Sequence, residues 1–106
     1  MTVFHIAKAA DWRAAQEAGE YRVSTLGRSL DEVGFIHASF AHQVPTVAEQ
    51  VYGAVAEPLV LLTIDEGKLT AQVLVEEVPA AGQAFPHIYG PIPIDAVTDV
   101  RDFRRG

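Results

Sequence analysis

Cysteine is absent from this sequence, which excludes disulfides, thiolate metal sites and cysteine nucleophiles; a metal would need His, Asp or Glu ligands. Long apolar runs are missing as well. Although 49% of the residues are hydrophobic, no uninterrupted stretch approaches the roughly 20 residues that cross a bilayer, so a soluble protein without a membrane partner is expected. Basic residues are scarce: eight Lys and Arg face 14 Asp and Glu, for a net charge of −6. That sign opposes the long-range attraction on which phosphate-backbone binding depends, and it excludes extended nucleic acid as a partner. The single basic cluster is Arg101, Arg104 and Arg105. A small phosphorylated ligand stays compatible, because one Arg or a backbone nest holds a phosphate whatever the total charge. The opening Met1-Thr2-Val3-Phe4-His5 lacks the basic and apolar regions of a secretory leader, which predicts a cytoplasmic location.

What is present reads as one α+β domain over residues 1–106. Residues 3–7 form a strand with Phe4 and Ile6 on one side and Val3, His5 and Ala7 on the other. Asp11 is positioned to cap a first helix carrying Trp12, Ala15 and Ala18, with Gly19 as its stop. An exposed connection with Tyr21, Arg22 and Arg28 follows, then a short helical turn over 29–34 ended by Gly34. Residues 35–40 alternate as a second strand, Ile36, Ala38 and Phe40 opposing Phe35, His37 and Ser39.

Val44, Val47, Ala48, Val51, Tyr52 and Val55 recur at the spacing of a core-facing helix, with Pro45 tolerated in its first turn. The apolar run 59–64 predicts a strand buried on both faces at the centre of the sheet. After a turn at Asp65-Glu66-Gly67, residues 69–78 are expected to pair back on it antiparallel. Residues 79–93 hold four prolines and two glycines, which predicts a long ordered loop of the kind that carries function. A last extended segment over 96–103 closes the sheet.

The histidines His5, His37, His42 and His87 are the chemically distinctive residues, and none falls on an obviously exposed helix face. His5 and His37 interrupt apolar strands. His87 sits in Phe85-Pro86-His87-Ile88-Tyr89-Gly90-Pro91, where prolines and glycine restrict the backbone around one imidazole and one phenol. Imidazole both donates and accepts near neutral pH, so three such rings suggest a shared pocket that orients a polar ligand or moves a proton. The bland alternative is that each ring makes one hydrogen bond inside the core. No short His or carboxylate spacing points to a metal.

Ser39 shares the face of His37, and no glycine elbow marks it as a nucleophile. Glu76 has the chemistry to steady a cationic transition state, but beside Glu77 it reads as a solvated strand position. Asp65 reads as turn chemistry. Phe85 and Tyr89 suit stacking on a planar ring, or anchoring of their own loop.

Phe4-His5-Ile6, Trp12 with Gly19 and Tyr21, Gly34-Phe35-Ile36-His37-Ala38-Ser39, Leu61-Leu62-Thr63-Ile64-Asp65 and Phe85-Pro86-His87-Ile88-Tyr89-Gly90-Pro91, in this order, resemble the bacterial family of unknown function DUF952. The resemblance spans nearly the whole chain. It implies an ADP-ribosyltransferase-like fold, a compact split and mostly antiparallel sheet with two main helices, similar in order to the RNA 2′-phosphotransferase branch. By that resemblance the cleft takes NAD, ADP-ribose or a related nucleotide, His5 lies at the nicotinamide ribose, and His37 and Ser39 are nearby. Departures are the Ile6-Ala7 after His5, where NAD-binding relatives have Gly-Thr, and the want of a matching glutamate or of basic residues for RNA. The resemblance therefore implies a cleft more firmly than a reaction.

The candidate site comprises His5, His37 and His87 as catalytic residues and Tyr21, Arg28, Ser39, Gln43, Phe85 and Tyr89 as ligand contacts, without a metal. The reading from another class is a non-enzymatic sensor or interaction domain that keeps the cleft and has lost NAD chemistry.

Overall fold

The computed structural model describes residues 1–103; Arg104 and Arg105 of the basic cluster lie outside them. β1 (Thr2–Lys8) pairs antiparallel with β6 (Leu59–Asp65) from Thr2↔Asp65 to Lys8↔Leu59. β10 (Val97–Phe103) pairs antiparallel on the other edge of β6, so the apolar run is central, as its composition predicts. Leu62 and Ile64 are fully buried, each burial contributing about 2 kcal/mol.

The alternation of β1 divides the interior. Val3 and Ala7 join the larger core with Trp12, Leu62 and Ile64, while Ile6, with Phe4 beside it, packs against Val44, Ala48 and Tyr52 of α3 (Val44–Tyr52).

A second three-stranded sheet has the order β5 (Ile36–His37), β8 (Gln83–Ile88), β7 (Val73–Val78), all antiparallel. This corrects two expectations. The segment after the Asp65 turn pairs with β8 and not with β6, because β1 and β10 already occupy both edges of β6. The proline-rich segment is largely a strand and not a loop. Pro86 lies opposite Val75, and its carbonyl accepts from Ala38 N–H at 3.1 Å. In an antiparallel strand the N–H and C=O of one residue point the same way, so the missing donor faces β5 just beyond its paired stretch and leaves the β7 ladder intact.

The expected strand over 35–40 is regular only at Ile36–His37, with Ser39 bridging to Phe4 through two 2.8 Å backbone bonds. That bridge ties the second sheet to β1.

α1 (Ala9–Ala18) buries Trp12 and Ala15 and stops at Gly19, whose φ of 92° only glycine adopts freely. Asp11 lies inside its first turn and not at the cap, where the dipole still favours a carboxylate. Ala18 is exposed. The connection read as exposed is partly structured: β2 (Glu20–Tyr21) pairs with β9 (Ile92–Pro93), burying Tyr21, and β3 (Val23–Thr25) forms a hairpin with β4 (Arg28–Ser29).

α2 (Leu30–Val33) is one turn held by a full capping box. Ser29 Oγ accepts from Glu32 N–H and Glu32 accepts from Ser29 N–H. In α3, Val51 is 44% exposed and Val55 falls beyond the helix end. Two main helices and mostly antiparallel sheets make the α+β class plain.

Candidate functional site

His5 points from β1 into the larger core and is 3% exposed. One of its nitrogens, Nδ1, meets the carbonyl of His37 at 2.5 Å, and Nε2 meets Tyr21 Oη at 2.9 Å. A carbonyl only accepts, so Nδ1 carries the proton and Nε2 accepts from the tyrosine hydroxyl. Burial lowers the imidazole pKa to about 4 and raises that of Tyr21, keeping both rings neutral at pH 7. The ring therefore clamps β1, β2 and β5 together with both nitrogens committed.

The second sheet presents a different arrangement. His37 and His87 are direct cross-strand partners, Phe85 and Glu76 another pair, so by strand alternation all four side chains share one face with Phe35 and Tyr89. The His87 ring stacks on Phe35 with centroids 4.0 Å apart and meets His37 edge-on at 5.5 Å. Its Nδ1 donates to the Glu76 carboxylate at 2.8 Å, and the Tyr89 hydroxyl donates to the same oxygen. These bonds, Tyr89 first, lower the pKa of Glu76, and the same contact raises that of Tyr89. Burial, with the neighbouring His87, lowers the pKa of His37. The remaining nitrogen of His87, Nε2, is buried without a hydrogen-bond partner among the described residues, a state that disfavours the fold by about 1–3 kcal/mol.

A cavity of about 340 Å³ opens between β1, α3 and the β7–β8 hairpin, within the range of small-molecule sites. Phe4, Ile6, Val47, Val51 and Phe85 give it apolar walls, and His37, Ser39, Thr46 and Gln50 supply polar atoms. Among the described residues, no Lys or Arg lines it, and no group of three His, Asp or Glu is placed to hold a metal ion.

The structure thus distributes the expected site residues. His5, His37, Ser39 and Phe85 line the cavity. His87 and Tyr89 sit on the adjoining sheet face, with His37 common to both. Tyr21 lies behind His5.

Gln43 is buried but its amide is structural. Oε1 accepts from Phe40 N–H at 2.9 Å, and Nε2 donates to Ala84 O at 2.7 Å and to Gln83 Oε1. Arg28 is exposed on the β3–β4 hairpin, away from the cavity lining. His42 is exposed in the 3₁₀ turn Ala41–Gln43, a correction to its expected environment.

Glu76, read as a solvated strand position, is instead the shared acceptor of His87 and Tyr89. Its signal in the sequence was alternation: Glu76, not Glu77, shares the parity of Leu74, and that face lies opposite His87 and Phe85 once β7 is paired with β8. Asp65 is turn chemistry as expected, accepting from Gly67 N–H at 2.9 Å.

A family model described as "Protein of unknown function (DUF952)" matches residues 6–100. The X-ray structure of protein CC0527 from Caulobacter crescentus is similar to this chain at 29% identity and a TM-score of 0.83, covering 98% of this chain and 87% of that one. The solution NMR structure of CC0527 is similar at 30% identity and a TM-score of 0.75, covering 95% and 83%. No curated protein matches the chain.

Proposed function

We propose that this chain, which belongs to the DUF952 family, binds a small uncharged organic molecule of about nucleoside size in the cavity between β1, α3 and the β7–β8 hairpin. The observation that carries this reading is the cavity itself, about 340 Å³ with His37, Ser39, Thr46 and Gln50 among the polar side chains set between apolar ones. Such walls supply affinity through burial, and a few fixed polar atoms supply orientation.

NAD and ADP-ribose enter this proposal through their nucleoside ends. A pyrophosphate needs cationic or backbone-nest partners, and among the described residues no Lys or Arg lines the cavity, so this lining favours keeping the phosphates of such a ligand outside. The likeness to ADP-ribosyltransferases belongs to the same proposal, supported by the antiparallel split arrangement and by a histidine on the opening strand. So does a bacterial setting, supported by the relative from Caulobacter crescentus.

A sensor without NAD chemistry draws support from His5, whose nitrogens are both engaged and leave no lone pair for the ligand.

The deciding experiment is a thermal-shift and calorimetric titration with nicotinamide riboside, adenosine, NAD and ADP-ribose, since a ligand that binds the folded state raises its stability by mass action. The nucleosides should shift the transition and His37→Ala should remove the shift. No shift with any of the four would overturn the nucleoside reading. Release of nicotinamide from NAD separates the enzyme from the sensor.

A further inference from the structure

On the outer face of β7 and β8, Glu76 holds the Nδ1–H of His87 at 2.8 Å, which leaves Nε2 as a bare lone pair. His87 is 5% exposed and Nε2 is buried with no partner among the described residues, whereas buried polar atoms are nearly always paired. An imidazole with a carboxylate on one nitrogen and nothing on the other is set up to accept a proton: the carboxylate fixes the tautomer and stabilises the cation that forms. The ring does not itself line the cavity but neighbours two residues that do. Its cross-strand partner His37, with ring centroids 5.5 Å away, and Phe85, two residues earlier on the same face, both line the cavity.

We infer that His87 is a general base, positioned by Glu76 and covered by His37, that hydrolyses a small neutral ester. The proposal rests on the cavity reading for the route by which substrate arrives. Because, among the described residues, the lining offers no Lys or Arg, an uncharged carbonyl compound fits better than a phosphoryl group, whose charge requires neutralising.

When His37 turns aside, a water molecule bonded to Nε2 gives it a proton, and the electron pair so freed forms the new bond to the acyl carbon. The bond from that carbon to the ester oxygen then breaks. The leaving oxygen keeps the bonding pair and takes the proton from the imidazolium, so one ester and one water become one acid and one alcohol.

The test uses the whole chain and 4-nitrophenyl acetate. Wild type should release nitrophenolate faster than buffer, His87→Gln should lower that rate at least tenfold, and His37→Ala should raise it severalfold by uncovering Nε2. Histidine ¹⁵N–¹H spectra of the wild type give a reading that needs no variant: His87 should carry its proton on Nδ1 and none on Nε2. In Glu76→Gln a share of the Nε2–H tautomer should appear, which loss of packing alone would not produce.

A wild-type rate equal to buffer, an unchanged rate in folded His87→Gln, or a wild-type Nε2–H tautomer would overturn the proposal. Turnover without nucleoside binding keeps the base and sinks the nucleoside reading; nucleoside binding without turnover does the reverse.

Discussion

His5 and His37, 32 residues apart, are joined ring to backbone: the imidazole of the first donates to the carbonyl of the second at 2.5 Å. The bond ties the position of His37 at the cavity to the His5 ring, whose neutral form also accepts from Tyr21 through Nε2. It also gives the fold a definite response to acid.

In the unfolded chain His5 titrates near 6.5, and in the folded protein near 4. The folded pKa of this base is depressed, so between those values the unfolded state binds more protons. The stabilisation is fully present above pH 6.5 and is lost as pH falls toward 4. At about 1.4 kcal/mol per unit the loss amounts to roughly 3 kcal/mol. Urea unfolding at pH 7, 5.5 and 4 should show it, and the decline should be shallower in His5→Asn. An equal decline in the variant would place the acid sensitivity elsewhere.

His5→Ala removes the ring that satisfies both Tyr21 Oη and the His37 carbonyl, and Tyr21 is 1% exposed. Cavity formation and the unpaired buried groups should together destabilise the protein by about 3–5 kcal/mol. Tyr21→Phe keeps the packing and deprives only His5 Nε2 of its donor, so it should cost about 1–2 kcal/mol. Chemical denaturation of the two variants checks the ranking, and the ranking matters because ligand binding by His5→Ala can be interpreted only if that variant folds.

How far these relationships were legible in the sequence depended on whether they were local. The alternation of Phe4 and Ile6 against Val3, His5 and Ala7 foretold the two faces of β1, which the fold then sets against separate cores, and the unbroken run through Leu62 and Ile64 foretold a central strand. Gly19 and Gly34 foretold two helix ends. Pro86 concealed β8, because whether a missing donor is tolerated depends on which neighbour it faces, and that is a property of pairing across the sheet.

The same limit hid the site. Glu76 and His87 are 11 residues apart and meet only because β7 turns back on β8. Gln43 looked like a ligand contact since nothing local reveals that Phe40 and Ala84 use its amide.

The cavity predicts a variant that separates binding from stability. Gln50 is exposed at the rim on α3 and lines the cavity, so Gln50→Trp should project an indole across the opening. Surface substitutions of this kind usually alter stability by no more than about 0.5 kcal/mol. The melting temperature of the free protein should therefore hardly move, while the shift produced by adenosine or nicotinamide riboside disappears. Retention of that shift would mean that the nucleosides bind at another place.

The capping box at Ser29 sets the entry to the His37 strand, because α2 and Gly34 lead directly into Phe35 and Ile36. Ser29→Ala should cost about 1 kcal/mol in urea unfolding. Adding Glu32→Ala should cost less in the Ser29→Ala background than in wild type, since the two side chains complete one reciprocal motif. Additive losses would show that the two bonds act separately.

Gln43 offers the sharpest contrast between a ligand contact and a structural amide. Its side chain joins the backbone of Phe40 to that of Ala84, across 41 residues of sequence, and is 3% exposed. Gln43→Leu keeps much of the volume but leaves the Phe40 N–H and the Ala84 carbonyl without their partner. Loss of two bonds to partly buried backbone groups should destabilise by about 1–3 kcal/mol. Because Ala84 adjoins Phe85 on the cavity wall, nucleoside affinity should weaken alongside, and amide exchange at Phe40 should accelerate. If Gln43→Leu instead retained full stability and lost only the ligand, the amide would belong to the ligand and the assignment made from its hydrogen bonds would be wrong.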